Sequence, residues 1–234
     1  MVRDIVKDVP PVDQIHELRS RLLEWFRNSA RDYPWRRTND PFRVLIAEIM
    51  LRRTKADQVV PVFSKLFDRY PDIGSIAEAE DEELEKILYP LGLKWRSPAF
   101  KLVAKEIKEK YDSQVPMNRE ELTKLSGVGE YVAGAVLSIA FGKPEWIVDS
   151  NIVRLFQRYF GMVTSKEGRR DKHVIETVKT YVKGVDPRSA NLALVDFSAL
   201  ICTPRAPLHN MCSVKTVCSY WRDLKNNRKP PTVN

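Results

Sequence analysis

Apolar residues recur at helical spacing along almost the whole chain, and this periodicity argues against a sheet-based fold before any motif is considered. Ile15, Leu18, Leu22, Trp25 and Phe26 make one stripe, and Val59, Val62, Phe63, Leu66 and Phe67 another. Recurrence at i, i+3, i+4 and i+7 marks helices with one buried face. The pattern begins again at Val44, Leu45, Ile49 and Met50 and returns over 84–88, 102–107, 132–140, 152–159, 175–182 and 192–200. Prolines at 34, 71, 90, 116, 144 and 187 fall between the stripes, where they end one helix and start the next. No alternating run is long enough for a strand, so the expected fold class is all-α, with roughly ten helices on short connections.

Charge is distributed unevenly. The 234 residues carry 39 Lys and Arg against 31 Asp and Glu, a net +8. Residues 1–149 hold 24 bases and 25 acids, whereas 150–234 hold 15 bases and 6 acids. A polyanion partner fits this pattern, because each phosphate neutralised releases counterions; a merely soluble basic surface is the plainer reading. No apolar run approaches the ~18 residues of a membrane span, and the first ten residues carry charges where a signal peptide would be apolar. A soluble intracellular protein with no membrane partner is expected. Three cysteines confined to 202–218 do not resemble a secreted disulfide framework.

Five local features carry candidate chemistry. Leu125-Ser126-Gly127-Val128-Gly129 lies between two helical stretches, the second opening at Glu130. Two glycines there allow backbone angles that a β-carbon obstructs, and they can turn amide N–H groups outward as a nest for one phosphate; an ordinary tight turn is the alternative. Asp149 stands before an amphipathic run, where a helix N-terminus favours an ionised carboxylate, in function or simply as a cap. Tyr131 shares a helical face with the small residues Gly134 and Ser138, as a cleft admitting a nucleotide requires, or is a half-exposed tyrosine. Glu48 interrupts an apolar helix, so it faces water or lines a site. Arg52-Arg53 follows, as a solvated pair or a contact to nucleic acid.

Taken in order, these motifs resemble the endonuclease III superfamily of DNA glycosylases over roughly residues 20–222, through the hairpin at 125–129, Gly142-Lys143-Pro144 and Val148-Asp149. Tyr33-Pro34-Trp35-Arg36, Ala47-Glu48-Ile49-Met50-Leu51-Arg52-Arg53-Thr54 and Asp196-Phe197-Ser198-Ala199 belong to the same resemblance. The usual hairpin is Leu-Pro-Gly-Val-Gly; Ser126 replaces its proline. The resemblance implies a helix-hairpin-helix fold of two lobes, a six-helix barrel over 33–143 and a second lobe from 1–32 and 144–234, with the hairpin and Asp149 flanking the cleft. It implies a monomer acting on mismatched double-stranded DNA by base flipping, with phosphate contacts at Gly127, Val128 and Gly129. Asp149 would stabilise the sugar cation and activate water, and Glu48 would hydrogen-bond or protonate the base. Arg52 and Arg53 would fill the gap and touch the orphaned guanine, with Arg36, Arg37 and Arg43 along the same DNA path.

Residue 131 sorts the family. Lysine there forms an imine and cuts the strand, serine is typical of adenine glycosylases, and tyrosine resembles the archaeal-type G/T mismatch-specific thymine glycosylases. The implied activity is release of thymine or uracil opposite guanine without strand cleavage. The alternatives are an adenine glycosylase acting opposite 8-oxoguanine or guanine, and a non-enzymatic DNA-binding module. The family's cluster motif, Cys-x6-Cys-x2-Cys-x5-Cys, matches Cys202, Cys212 and Cys218 but has His209 at its second position. A [4Fe–4S] cluster on three cysteines and His209 is expected, bracing a basic loop (Arg205, Lys215, Arg222) against DNA. Zinc on the same four residues, or no metal, are the alternatives.

Overall fold

The computed structural model describes residues 8–92 and 97–228. The expectation of a frayed end from 226 onward therefore lies partly outside the described residues. Those residues form twelve α-helices and no β-strand, which bears out the all-α expectation. In chain order the helices are α1 Val12–Ser29, α2 Pro41–Met50, α3 Ala56–Arg69, α4 Ile73–Ala77, α5 Asp81–Leu88 and α6 Ser97–Lys110. They continue as α7 Arg119–Lys124, α8 Glu130–Ala135, α9 Ser150–Phe160, α10 Lys172–Val182, α11 Pro187–Leu200 and α12 Ser219–Lys225. Short acids and amides begin many of them: Asp40, Asp72, Asn118, Asp149, Asp171 and Asp186 each accept a hydrogen bond from a first-turn amide, satisfying donors that the helix itself leaves unpaired.

The chain divides into two compact units, one of Asp32–Lys143 and one of the residues up to Arg31 with those from Pro144 onward. In the first, α2 is buried on nearly every side, from Phe42 to Met50. It packs against α8 and its continuation, while α3 packs against α5 and α4 against α6. Trp35, Phe63, Phe67 and Phe42 form an aromatic chain with ring centroids 4.8–6.2 Å apart. In the second unit α1 packs on α10 and α11, and α9 on α11 and α12. Ile15, Leu18, Leu22, Phe156, Tyr181 and Phe197 are its fully buried centre. Arg31 and the fully buried Asp196 pair at 2.6 Å there.

Candidate functional site

The hairpin between α7 and α8 is built as a scaffold for its own backbone. Gly127 has φ +79°, a left-handed angle that favours glycine, and the open side of the loop leaves room there. Gly129 differs from expectation: its φ of −106° suits any residue, and its missing side chain leaves open space at the start of α8. Val128 is buried, and its N–H donates to the Leu125 carbonyl at 3.1 Å, closing the turn. The N–H of Val128 therefore serves the hairpin itself, and the unclosed amides lie on either side of it. Three side chains hold the loop from outside. The Ser126 N–H and O–H both donate to Glu106, the Arg52 guanidinium donates to the Gly127 carbonyl at 2.9 Å, and Arg119 bridges to Glu130 at 3.0 Å.

Tyr131 is half-buried in the first turn of α8. The small face expected beside it is not open along its length. Ser138 is fully buried, and its hydroxyl donates to the Gly134 carbonyl at 2.8 Å. The helix also widens into a π-turn over Val136–Ala140, which rotates later residues away from the regular 3.6-residue register. Glu48 is 8% exposed, so the surface reading of this carboxylate is excluded. Burying a carboxylate in an apolar helix is costly unless it is partnered or used. Arg52 and Arg53 are exposed in the turn that ends α2. They are not equivalent: Arg52 holds the hairpin, while Arg53 has φ +60°, an unusual backbone for a non-glycine residue. Arg37 pairs with Asp32, and Arg43 lies over the Phe67 ring, so both have structural partners.

In the other unit Asp149 caps α9 with one oxygen, accepting from the Ile152 N–H at 2.8 Å. Its second oxygen accepts from the Asn151 side-chain amide at 2.7 Å, and the carboxylate stays partly exposed. The cap reading and the chemical reading are thus compatible. Asn151 is held in turn by Arg154, whose Nη1 donates to Asn151 Oδ1 at 2.9 Å. The same guanidinium donates to the Cys202 carbonyl at 2.9 Å and the Ser198 carbonyl at 2.7 Å. One turn later Arg158 donates to the carbonyls of Thr203 and Pro204, both at 2.7 Å.

These arginines, 7% and 5% exposed, cap the C-terminal end of α11 and the loop after it, where carbonyls lack helical partners. Sequence reading missed them, since an i, i+4 arginine pair looks like a solvated face. Its only hint was their place within the apolar run 152–160. Burial pushes the Arg154 guanidinium below its ordinary pKa, opposed mainly by Cys202.

The cysteine loop departs from expectation. Among the described residues no three His, Cys, Asp or Glu side chains come together as ligands for a metal ion, so Cys202, His209, Cys212 and Cys218 do not form the expected set. Their existing partners give the reason. The Cys202 sulfur accepts from Arg158 at 3.5 Å and the Cys218 thiol donates to the Arg158 carbonyl at 3.4 Å. The His209 ring stands edge-on to Trp221 at 4.5 Å, and burial together with Arg158 and Lys215 lowers its pKa. Burial raises the Cys212 thiol and pushes Cys218 up to about 11, so a metal binding there would have to displace their protons. Three cysteines and a neutral histidine are nonetheless donors of the type that a [4Fe–4S] or zinc centre uses.

A thymine/uracil-DNA glycosylase of Methanothermobacter thermautotrophicus is 38% identical over 203 residues, covering 86% of this chain and 92% of its own. The solved structure of a thermostable thymine-DNA glycosylase superimposes with a TM-score of 0.83 at 36% identity, over 90% of this chain and 98% of the other. An adenine DNA glycosylase of Buchnera aphidicola is more distant, at 29% identity over 87% of this chain and 58% of its own. The model of the HhH-GPD superfamily base excision DNA repair proteins matches residues 46–182, a span that includes Glu48, Arg52, Arg53, the hairpin, Tyr131 and Asp149. The chain belongs to the HhH-GPD superfamily of base excision DNA repair proteins.

Proposed function

We propose that the chain is a monofunctional DNA glycosylase that hydrolyses the N-glycosidic bond of thymine or uracil mispaired with guanine, working as a monomer on double-stranded DNA. The base preference is carried by the 38% identity to a thymine/uracil glycosylase over nearly the whole of both chains, against 29% to an adenine glycosylase. Asp149 is assigned the central chemistry. An ionised carboxylate stabilises the positive charge that builds on the deoxyribose as the base departs, and it orients the attacking water. Two amide donors already fix its direction, so the group needs little reorganisation during the reaction. Glu48, buried in α2, hydrogen-bonds or protonates the leaving base.

Tyr131 stands where an imine-forming lysine would be needed for strand cleavage, and a phenol cannot supply that amine. Base release by water then leaves an abasic site. Lys124 is paired with Glu121, and Lys143 donates to the Met117 carbonyl, so neither is presented as a substitute. Gly127 and Gly129, with the first amides of α8, take a backbone phosphate. Of the two arginines, Arg53 is assigned to the gap left by the flipped base and Arg52 to bracing the hairpin. For the loop after α11 the family implies a [4Fe–4S] cluster, with Cys202, Cys212, Cys218 and His209 as the residues that would hold it and zinc on the same four as the alternative.

Labelled duplexes containing G/T, G/U, A/8-oxoguanine or matched pairs, read before and after alkali, test this reading. Cleavage of G/T and G/U strands only after alkali is expected. Cutting without alkali would refute the monofunctional assignment, and release of adenine alone would replace thymine and uracil as substrates.

A further inference from the structure

Ser126 is the one hairpin residue that departs from the motif it resembles, and the structure gives it a specific partner. Its N–H donates to Glu106 Oε2 at 2.7 Å and its hydroxyl to Glu106 Oε1 at 3.1 Å, so one carboxylate from α6 takes both donors of one residue. The Glu106 side chain is only 14% exposed, and Lys110 lies 3.4 Å away as its other partner. Hydrogen bonds to an ionised acceptor are about twice as strong as neutral ones. The Lys110 ammonium offsets the charge of this carboxylate, and the two Ser126 donors fix its direction against the loop. Leu125 has φ −71° and ψ +142°, the extended backbone that a following proline demands. A proline at 126 would therefore fit the preceding backbone, but it would supply neither donor to Glu106.

We propose that Glu106 is a positioning residue for the phosphate-binding hairpin, holding through the two donors of Ser126 the conformation that a proline ring would impose by fixing φ. Residue 126 and its partner are then a matched pair. Proline suits an apolar residue at 106, and serine suits glutamate. The inference rests on the DNA-binding reading above and adds to it a residue outside the motif.

The test measures affinity for a duplex with one G/T mismatch, at several salt concentrations, for the parent and four variants. Ser126→Pro is expected to weaken binding by about 10-fold, since it strands a buried carboxylate. The slope of log affinity against log salt should also fall by about 0.9, the value for one phosphate contact. Ser126→Ala, which keeps the amide, loses only about 3-fold, and Glu106→Gln, which keeps an acceptor, loses a similar amount. The decisive variant is Ser126→Pro with Glu106→Leu, which should return to within about 3-fold of the parent because neither partner is then left unsatisfied. A double variant that binds no better than Ser126→Pro alone overturns the proposal, as does a Ser126→Pro protein with the parent's affinity and salt slope. Should the double variant fail to fold, the ordering of Ser126→Pro below Ser126→Ala and Glu106→Gln carries the decision, and equal losses overturn the proposal. A parent chain that binds no duplex removes the DNA reading and this inference with it; a parent that binds while its variants bind equally removes only this inference.

Discussion

The hairpin at 125–129 and the loop at 202–218 are both irregular segments held by charged side chains, but the hairpin is held by a carboxylate as well as by arginine, and the cysteine loop by arginines. Glu106 takes donors from the hairpin, while Arg154 and Arg158 donate to carbonyls around the cysteine loop. The Val128 amide closes the hairpin turn on the Leu125 carbonyl. In the cysteine loop the anchored groups are the loose carbonyls at the end of α11, and the two guanidiniums are themselves buried. Charge near a loop therefore says little about its task until the partners are known. Asp149 is linked to the second loop through Asn151 and Arg154.

The contrast can be tested most severely at its catalytic end. Asp149→Asn removes the anion while keeping a side chain that can cap α9, so single-turnover base release should fall by about 10²–10⁴-fold with duplex affinity nearly unchanged. Arg154→Met should act mainly on stability. It removes the donor of the Ser198 carbonyl and the shorter of two donors of the Cys202 carbonyl, at about 1–3 kcal/mol in all, read as a lowered urea midpoint, and it loosens Asn151 against Asp149. Glu106→Leu, by contrast, should shift the midpoint by less than Arg154→Met does while weakening DNA binding more; the reverse pattern would erase the distinction between the two loops.

Within the hairpin, Gly127→Ala should cost about 1–2 kcal/mol, because an L-residue is forced into the left-handed region. Gly129→Ala should leave stability within about 0.5 kcal/mol of the parent, given its extended φ. Equal effects of the two substitutions would mean that the loop is looser than described. The last prediction concerns composition. About four irons per chain, the content of one [4Fe–4S] cluster, are expected in the purified yellow-brown protein. A colourless preparation bearing zinc or no metal would overturn the cluster assignment.

Helical periodicity, proline breaks and the hairpin motif were enough to specify an all-α fold and its superfamily, because both are local: an apolar stripe or a left-handed glycine is visible within a few residues. The same local signals placed Asp149 at a helix start, where it is found. Tertiary structure decided which charges are used. Arg154 and Arg158 read as part of a basic surface, yet they point into the interior, where α11 ends with unpaired carbonyls. Glu48 was balanced between solvent and a site until the burial of α2 on nearly every side removed solvent as an option. Ser126 looked like a minor substitution until Glu106, 20 positions earlier, was brought against it. Hydrogen-bond partners distant in sequence are chosen by packing, and no pattern along one chain encodes them.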